Sequence, residues 1–232
     1  MKKIGLVGGI SWISTIDYYR FINEGINEKL GGLNFAECII YSVNFDDFQR
    51  NNTNGNWDAT FDLLLNACKN LEKSGADAIV LCANTAHAVS DRLEQEINLP
   101  FVHVVTATAN AIKKQGLKKV GLLGTKFTME MDFYFKKLAE NNIEAIVPFL
   151  QEERDFVQQT LKEELGRGII KEQTKRAYLS IIEKLIENGA EGIILGCTEI
   201  PMLISQEDVP VPVFDTTKIH SEAAVEFAVS AE

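Results

Sequence analysis

This chain repeats itself, and that limits what it can fold into more than any single motif does. Ile4-Gly-Leu-Val-Gly8-Gly9 returns as Val120-Gly-Leu-Leu-Gly124-Thr125, an offset of 116 residues. Gly75-Ala76, ahead of the apolar run Ile79-Val-Leu-Cys82, returns at an offset of 114 as Gly189-Ala190, ahead of Ile193-Ile-Leu-Gly-Cys197. Pro100-Phe-Val-His103 returns as Pro212-Val-Phe-Asp215, an offset of 112. Three landmarks in one order, with offsets of 116, 114 and 112, point to a duplicated folding unit.

Short apolar runs alternate with helix-like stretches in each copy. Ile4 to Val7 reads as a strand ending at Gly8-Gly9, Ser14 to Lys29 as a helix stopped by Gly31-Gly32, and Cys38 to Val43 as a strand. Phe45 to Asn56, rich in Asp and Asn, reads as a loop. Trp57 to Lys73 is an amphipathic helix stopped by Gly75, and Ala78 to Cys82 is the next strand. A helix from about His87 to Glu96 follows, then a strand Phe101 to Val105 and a helix Ala107 to Gln115. This alternation predicts an α/β fold of two similar lobes, each a small, mainly parallel sheet flanked by helices. The lobes are expected to be related by pseudo-two-fold symmetry with the active site between them. Their expected extents are residues 1–105 and 106–217, with a C-terminal helix at about 218–232 packing back on the first lobe.

Composition narrows the function. A net charge of −10 argues against nucleic acid or an anionic membrane as partner. No apolar run approaches the roughly 20 residues of a membrane span, and the first residues read as a strand, not a signal peptide. The four cysteines (Cys38, Cys68, Cys82, Cys197) have no close-paired spacing, and there are three histidines. That pattern excludes the usual zinc sites and a disulfide scaffold, and predicts a cytoplasmic protein with free thiols and no metal. Cys38 and Cys68 read as buried small hydrophobes. His87, His103 and His220 read as locally structural, and Trp12 as a packing residue.

Cys82 and Cys197 stand where each repeat leaves its strand, among small polar residues. Strand C-terminal ends are where ligands bind in open parallel sheets. Two thiols brought to one α-carbon from opposite sides suit proton transfer across a stereocentre, the thiolate as general base and the thiol as general acid. Helix N-termini at these junctions would favour anions and lower a thiol pKa, so a resting thiolate is expected. Asn84, Thr85, Thr125, Thr128 and Thr198, with the Gly8-Gly9 turn and Ser11, are candidates to hold a substrate carboxylate. Glu199 is a candidate to orient Cys197.

Cys82-Ala-Asn-Thr-Ala-His87 and Gly196-Cys-Thr-Glu199, with Gly8-Gly9-Ile-Ser-Trp12, closely resemble the cofactor-independent aspartate/glutamate racemase family. The likeness extends to Leu123-Gly-Thr125 and Pro212-Val-Phe-Asp-Thr216. Glutamate racemases usually carry His after the second Cys-Thr; Glu199 here resembles the aspartate racemase branch and its broader-specificity relatives. The resemblance implies Cys82 and Cys197 as the two bases, no pyridoxal phosphate, carboxylate contacts at Asn84, Thr85, Thr125 and Thr198, and a homodimer. Where aspartate racemases place an arginine and a lysine for the side-chain carboxylate, this chain offers Arg50 and Arg167, neither in clean alignment. The function so implied is racemisation of an acidic amino acid, aspartate before glutamate. The alternatives are a hydantoin racemase, maleate isomerase or arylmalonate decarboxylase type of enzyme on the same scaffold, and a non-enzymatic small-molecule binding protein.

Overall fold

The duplication in the sequence is a duplication of sheet topology in the computed structural model, which describes residues 1–230. The chain divides into two units, Met1–Val104 with the stretch from Thr217, and Val105–Thr216. The first holds β1 (Ile4–Gly8), α1 (Trp12–Leu30), β2 (Cys38–Ser42), α2 (Phe45–Thr53), α3 (Trp57–Lys73), β3 (Ala78–Leu81), α4 (Ser90–Glu96) and β4 (Phe101–Val102). The second holds α5 (Val104–Lys114), β5 (Lys119–Gly124), α6 (Lys126–Glu130), α7 (Asp132–Ala139), β6 (Glu144–Ile146), α8 (Gln151–Glu163), α9 (Glu172–Glu187), β7 (Ile193–Gly196) and β8 (Val213–Asp215). The final helix, α10 (Thr216–Val229), belongs to the first unit from Thr217 onward.

Both sheets have four strands, paired parallel throughout, in the orders β2-β1-β3-β4 and β6-β5-β7-β8. The first and third strands of each repeat are therefore central. They are continuous apolar runs because parallel strands covered on both faces have no wet side, and β1 and β3 are buried at every residue.

In the first unit α3 lays Leu64, Ala67, Cys68 and Leu71 against Val7, Ile79 and Leu81 on one face of the sheet. The other face, carrying Ile4, Leu6, Ala78, Val80 and Cys82, is covered by Tyr18, Ile22 and Ile26 of α1 and Ala224, Val225 and Ala228 of α10. Close approach of those helices depends on Gly25, where an added Cβ would lie 2.9 Å from Val225 Cγ2. In the second unit Val157 and Leu161 of α8 and Tyr178, Ile181 and Leu185 of α9 pack on Leu123, Ile193 and Leu195. Each such fully buried aliphatic side chain contributes about 1.5–3 kcal/mol.

Three sequence expectations are corrected. The segment expected as a loop contains α2, in a run polar enough to hide a one-stripe helix. Asp46 and Asp47 lie in its first turn, and Phe48 and Asn52, one turn apart, form its buried face. The strand expected to run to Val105 stops at Val102, and helix begins at Val104, whose N–H lies 3.3 Å from His87 Nε2. Trp12 opens α1 with its side chain outward and is 66% exposed. Of the stretch expected as the last helix, residues 231–232 lie outside the described residues. Among the described residues, no helix is long and apolar enough to cross a membrane.

Candidate active site

Each unit gathers its candidate residues at the C-terminal ends of its two central strands. In the first, β1 ends at Gly8 and the chain turns through Gly9, whose φ is +86°. A Cβ at Gly9 would lie 2.2 Å from the Val43 carbonyl oxygen, so only glycine fits against the segment after β2. The Gly9 N–H donates to Thr15 Oγ1 at 2.8 Å, tying the turn to the first turn of α1. Ser11 stands at the N-cap position of that helix. Ser14 Oγ lies 3.0 Å from the Cys82 carbonyl oxygen, so α1 also reaches the strand end that carries the thiol.

Cys82 follows β3 directly and continues its alternation. Ala78, Val80 and Cys82 share one face, so the thiol points into the apolar layer of Tyr18 and Ile22 and is fully buried. Asn84 and Thr85, next along the chain, are buried where it enters the 3-10 turn Thr85–Val89. Within that turn His87 reaches back to the Ala83 carbonyl, its Nδ1 at 3.0 Å.

The second unit repeats the plan with different groups. Thr125 caps α6 after β5 and accepts from the Thr128 N–H at 3.3 Å. Thr128 is fully buried and packs against Gly124 and Gly196, where added Cβ atoms would come within 3.1 and 3.3 Å of its side chain. It therefore supports the strand ends from beneath. Cys197 follows β7 directly, and its Sγ donates to Glu199 Oε2 at 2.9 Å. Thr198 Oγ1 donates to the same oxygen at 2.8 Å. One carboxylate oxygen thus collects two donors beside the thiol.

At neither site do the surroundings favour the expected resting thiolate. Burial pushes the Cys82 thiol well above its ordinary value, because the apolar layer offers an anion no solvation. The Cys197 thiol is also raised, first by burial, then by the Glu199 charge and by its hydrogen bond to Glu199. Helix ends do not outweigh these effects, since the turn after Cys82 is a single short 3-10 segment.

Arg50 lies on α2 with its guanidinium engaged by Asp46, at 2.9 Å, and by Asp47. Arg167, itself exposed, ends the 3-10 turn Leu165–Arg167. Ser14 and Thr15 were not among the sequence candidates. Their only signal is a pair of adjacent hydroxyls one turn into the helix after Gly8-Gly9, a pattern also common where nothing is held.

A family model described as Asp/Glu/hydantoin racemase matches residues 7–224. The chain belongs to this family. Broad-specificity amino-acid racemase RacX of Bacillus subtilis is similar over 239 residues at 27% identity, covering 96% of each chain. A solved structure of an aspartate racemase homologue from Pyrococcus horikoshii is 43% identical, with a TM-score of 0.87 over 99% of this chain and 100% of that one. A Yersinia pestis protein provisionally assigned as an Asp/Glu racemase is 46% identical, with a TM-score of 0.94 over 99% and 100%. The segments after β3 and β7 each carry one thiol at the same point of the repeated fold.

Proposed function

We propose that this protein interconverts the L- and D-enantiomers of an acidic amino acid, aspartate foremost, by a two-base mechanism without pyridoxal phosphate. The observation that carries the reading is the equivalent placement of Cys82 and Cys197, each the first residue after the third strand of its four-stranded sheet. The mechanism requires the two sulfurs to meet opposite faces of one α-carbon. One, as thiolate, removes the α-proton; the other, as thiol, delivers a proton to the opposite face. The number of protons on the pair is unchanged, but their positions are exchanged, so the reverse direction uses the same groups with roles swapped.

Because the surroundings raise both thiol pKa values, one sulfur must be ionised when substrate binds. Cys197 has a proton acceptor in place: Glu199 Oε2 already receives its S–H, so transfer along that hydrogen bond gives a thiolate beside a neutral carboxyl. The hydroxyls of Thr125 and Thr198, the Thr85 hydroxyl and the Asn84 amide are the groups proposed to hold the substrate carboxylates. RacX is a broad-specificity enzyme by name and the Pyrococcus protein an aspartate racemase homologue. The range of side chains accepted is therefore part of the test.

The test is proton NMR of L-aspartate and L-glutamate, separately, with protein in D₂O and no added cofactor, following loss of the α-proton and chirality together. Exchange accompanied by racemisation, reduced on the order of 10²–10⁴-fold in both Cys82→Ser and Cys197→Ser, is the expected result. No exchange with either amino acid would overturn the reading and favour an isomerase or decarboxylase reaction of the thiols.

A further inference from the structure

All three histidines of the chain lie together in the first unit, behind the Cys82 strand end, although they come from three separate segments. The His87 ring is 4.6 Å from that of His103 and 5.5 Å from that of His220, centroid to centroid. All are buried, and the hydrogen bonds fix their protons. His87 Nε2 faces the Val104 N–H at 3.3 Å and can only accept, so Nδ1 carries the proton and donates to the Ala83 carbonyl at 3.0 Å. His220 Nε2 donates to the Val102 carbonyl at 2.5 Å, which leaves Nδ1 to accept from the Tyr18 hydroxyl at 2.8 Å. His103 Nε2 meets Ser90 Oγ at 3.1 Å, and Ser90 Oγ donates to the His87 carbonyl at 2.9 Å. With these nitrogens committed to backbone and hydroxyl partners, the cluster is built as a strut and not as a metal site.

The strut has a definite target. Ala83 is the residue immediately after Cys82, and Val104 is the last residue of the first unit before the chain passes into the second. His87 therefore joins the thiol-bearing strand end to the Val104 N–H through one ring, both ends of the link lying within the first unit. We propose that His87 is a positioning residue for Cys82: the Nδ1–H bond to the Ala83 carbonyl sets the direction in which the strand end presents its thiol. This rests on the reading of Cys82 as one of the two bases.

Amide replacements separate the two ring bonds. An asparagine amide overlays Nδ1 and keeps donation to Ala83, whereas a glutamine amide overlays Nε2 and keeps only acceptance from Val104. Two measurements are made on His87→Ala, His87→Asn and His87→Gln. One is racemisation kcat and KM. The other is the alkylation rate of each cysteine by iodoacetamide, resolved by peptide mass mapping, with core Cys68 and Cys197 as internal references.

The expected result for His87→Ala is a kcat on the order of 10–100-fold lower with little change in KM, because a displacement of about 1 Å at a reacting group costs that much. Cys82 alkylation changes relative to Cys68 and Cys197. His87→Asn recovers most of kcat and the wild-type Cys82 reactivity, and His87→Gln does not. The alkylation pattern is read whether or not the protein racemises acidic amino acids, so failure of the functional reading is distinguishable from failure of this one. Wild-type kcat and Cys82 reactivity in His87→Ala, Asn and Gln variants that behave alike, or a uniform rise at every cysteine would each overturn the proposal.

Discussion

Replacing Glu199 by glutamine tests whether a carboxylate controls the Cys197 thiol. The side chain keeps its shape and its ability to hydrogen-bond the sulfur, but the charge 2.9 Å from Sγ is removed. A like charge within about 4–6 Å of a titrating group moves its pKa by about 1–3 units. That corresponds to about 1.4–4 kcal/mol of ionisation free energy at 1.36 kcal/mol per unit. Because the charge opposes thiolate formation, its removal lowers the Cys197 pKa and leaves the burial contribution in place. A thiolate of lower pKa is also a weaker nucleophile, with a Brønsted slope of about 0.4–0.5, so the alkylation rate below the pKa rises by only about 3.5-fold per unit. Glu199→Gln should therefore alkylate at Cys197 roughly 4- to 40-fold faster at neutral pH, with Cys82, in its apolar layer, unchanged. Site-resolved alkylation with iodoacetamide across pH 6–10 gives both the rate and the midpoint. A Cys197 rate at or below wild type with an unmoved midpoint would refute the account of its raised pKa.

Two further outcomes follow from the first unit. Gly9→Ala places a Cβ against the Val43 carbonyl in a left-handed backbone position and should destabilise the fold by at least about 2 kcal/mol in urea denaturation; a loss below about 0.5 kcal/mol would show that the turn relaxes. Burial lowers the His220 pKa to about 4, so the native ring stays neutral while the unfolded chain takes up a proton below about pH 6.5. The stability this contributes is full above pH 6.5 and is lost as pH falls towards 4; it amounts to about 3 kcal/mol. Urea titrations at pH 7.5 and 4.5 should show a smaller drop in His220→Gln than in wild type, and equal drops would show that His220 does not set the acid sensitivity.

Much of the fold is legible because the repeat is written in residues with one job each. Gly75 and Gly189 stop helices at positive φ, and Ile79 to Leu81 and Ile193 to Leu195 read as buried parallel strands without reference to anything distant. Helix α2 is illegible for the opposite reason. Its buried face is Phe48 and Asn52, and Asn52 is accommodated only because its Oδ1 accepts from Thr60 Oγ1, at 2.5 Å, on α3. The state of the Cys82 thiol is similarly hidden. Alternation along β3 says which face it takes, but the layer that desolvates it comes from Tyr18 and Ile22 on α1. The histidine strut joins positions 87, 103 and 220, and no local pattern relates them.

The duplication also explains how two matching thiols acquire different surroundings. Superposing the repeats on their cysteines sets Cys82-Ala83-Asn84 against Cys197-Thr198-Glu199. The backbone plan is shared, a strand ending at the residue before sulfur and a short 3-10 turn after it. The side chain two residues on is not shared: a neutral amide in one copy, a carboxylate bonded to the thiol in the other. The Cys82 thiol is raised because ionisation would put a charge in an apolar layer. The Cys197 thiol is raised by burial and by the charge that already stands beside it. Among the described residues, only Cys197 has a carboxylate oxygen within hydrogen-bond length of its sulfur, the group proposed to take its proton. A two-base reaction needs one sulfur charged and one neutral at the moment of transfer. In the two-base reaction proposed here, glutamate at position 199, where the first repeat has asparagine, would give Cys197 the partner that ionises it.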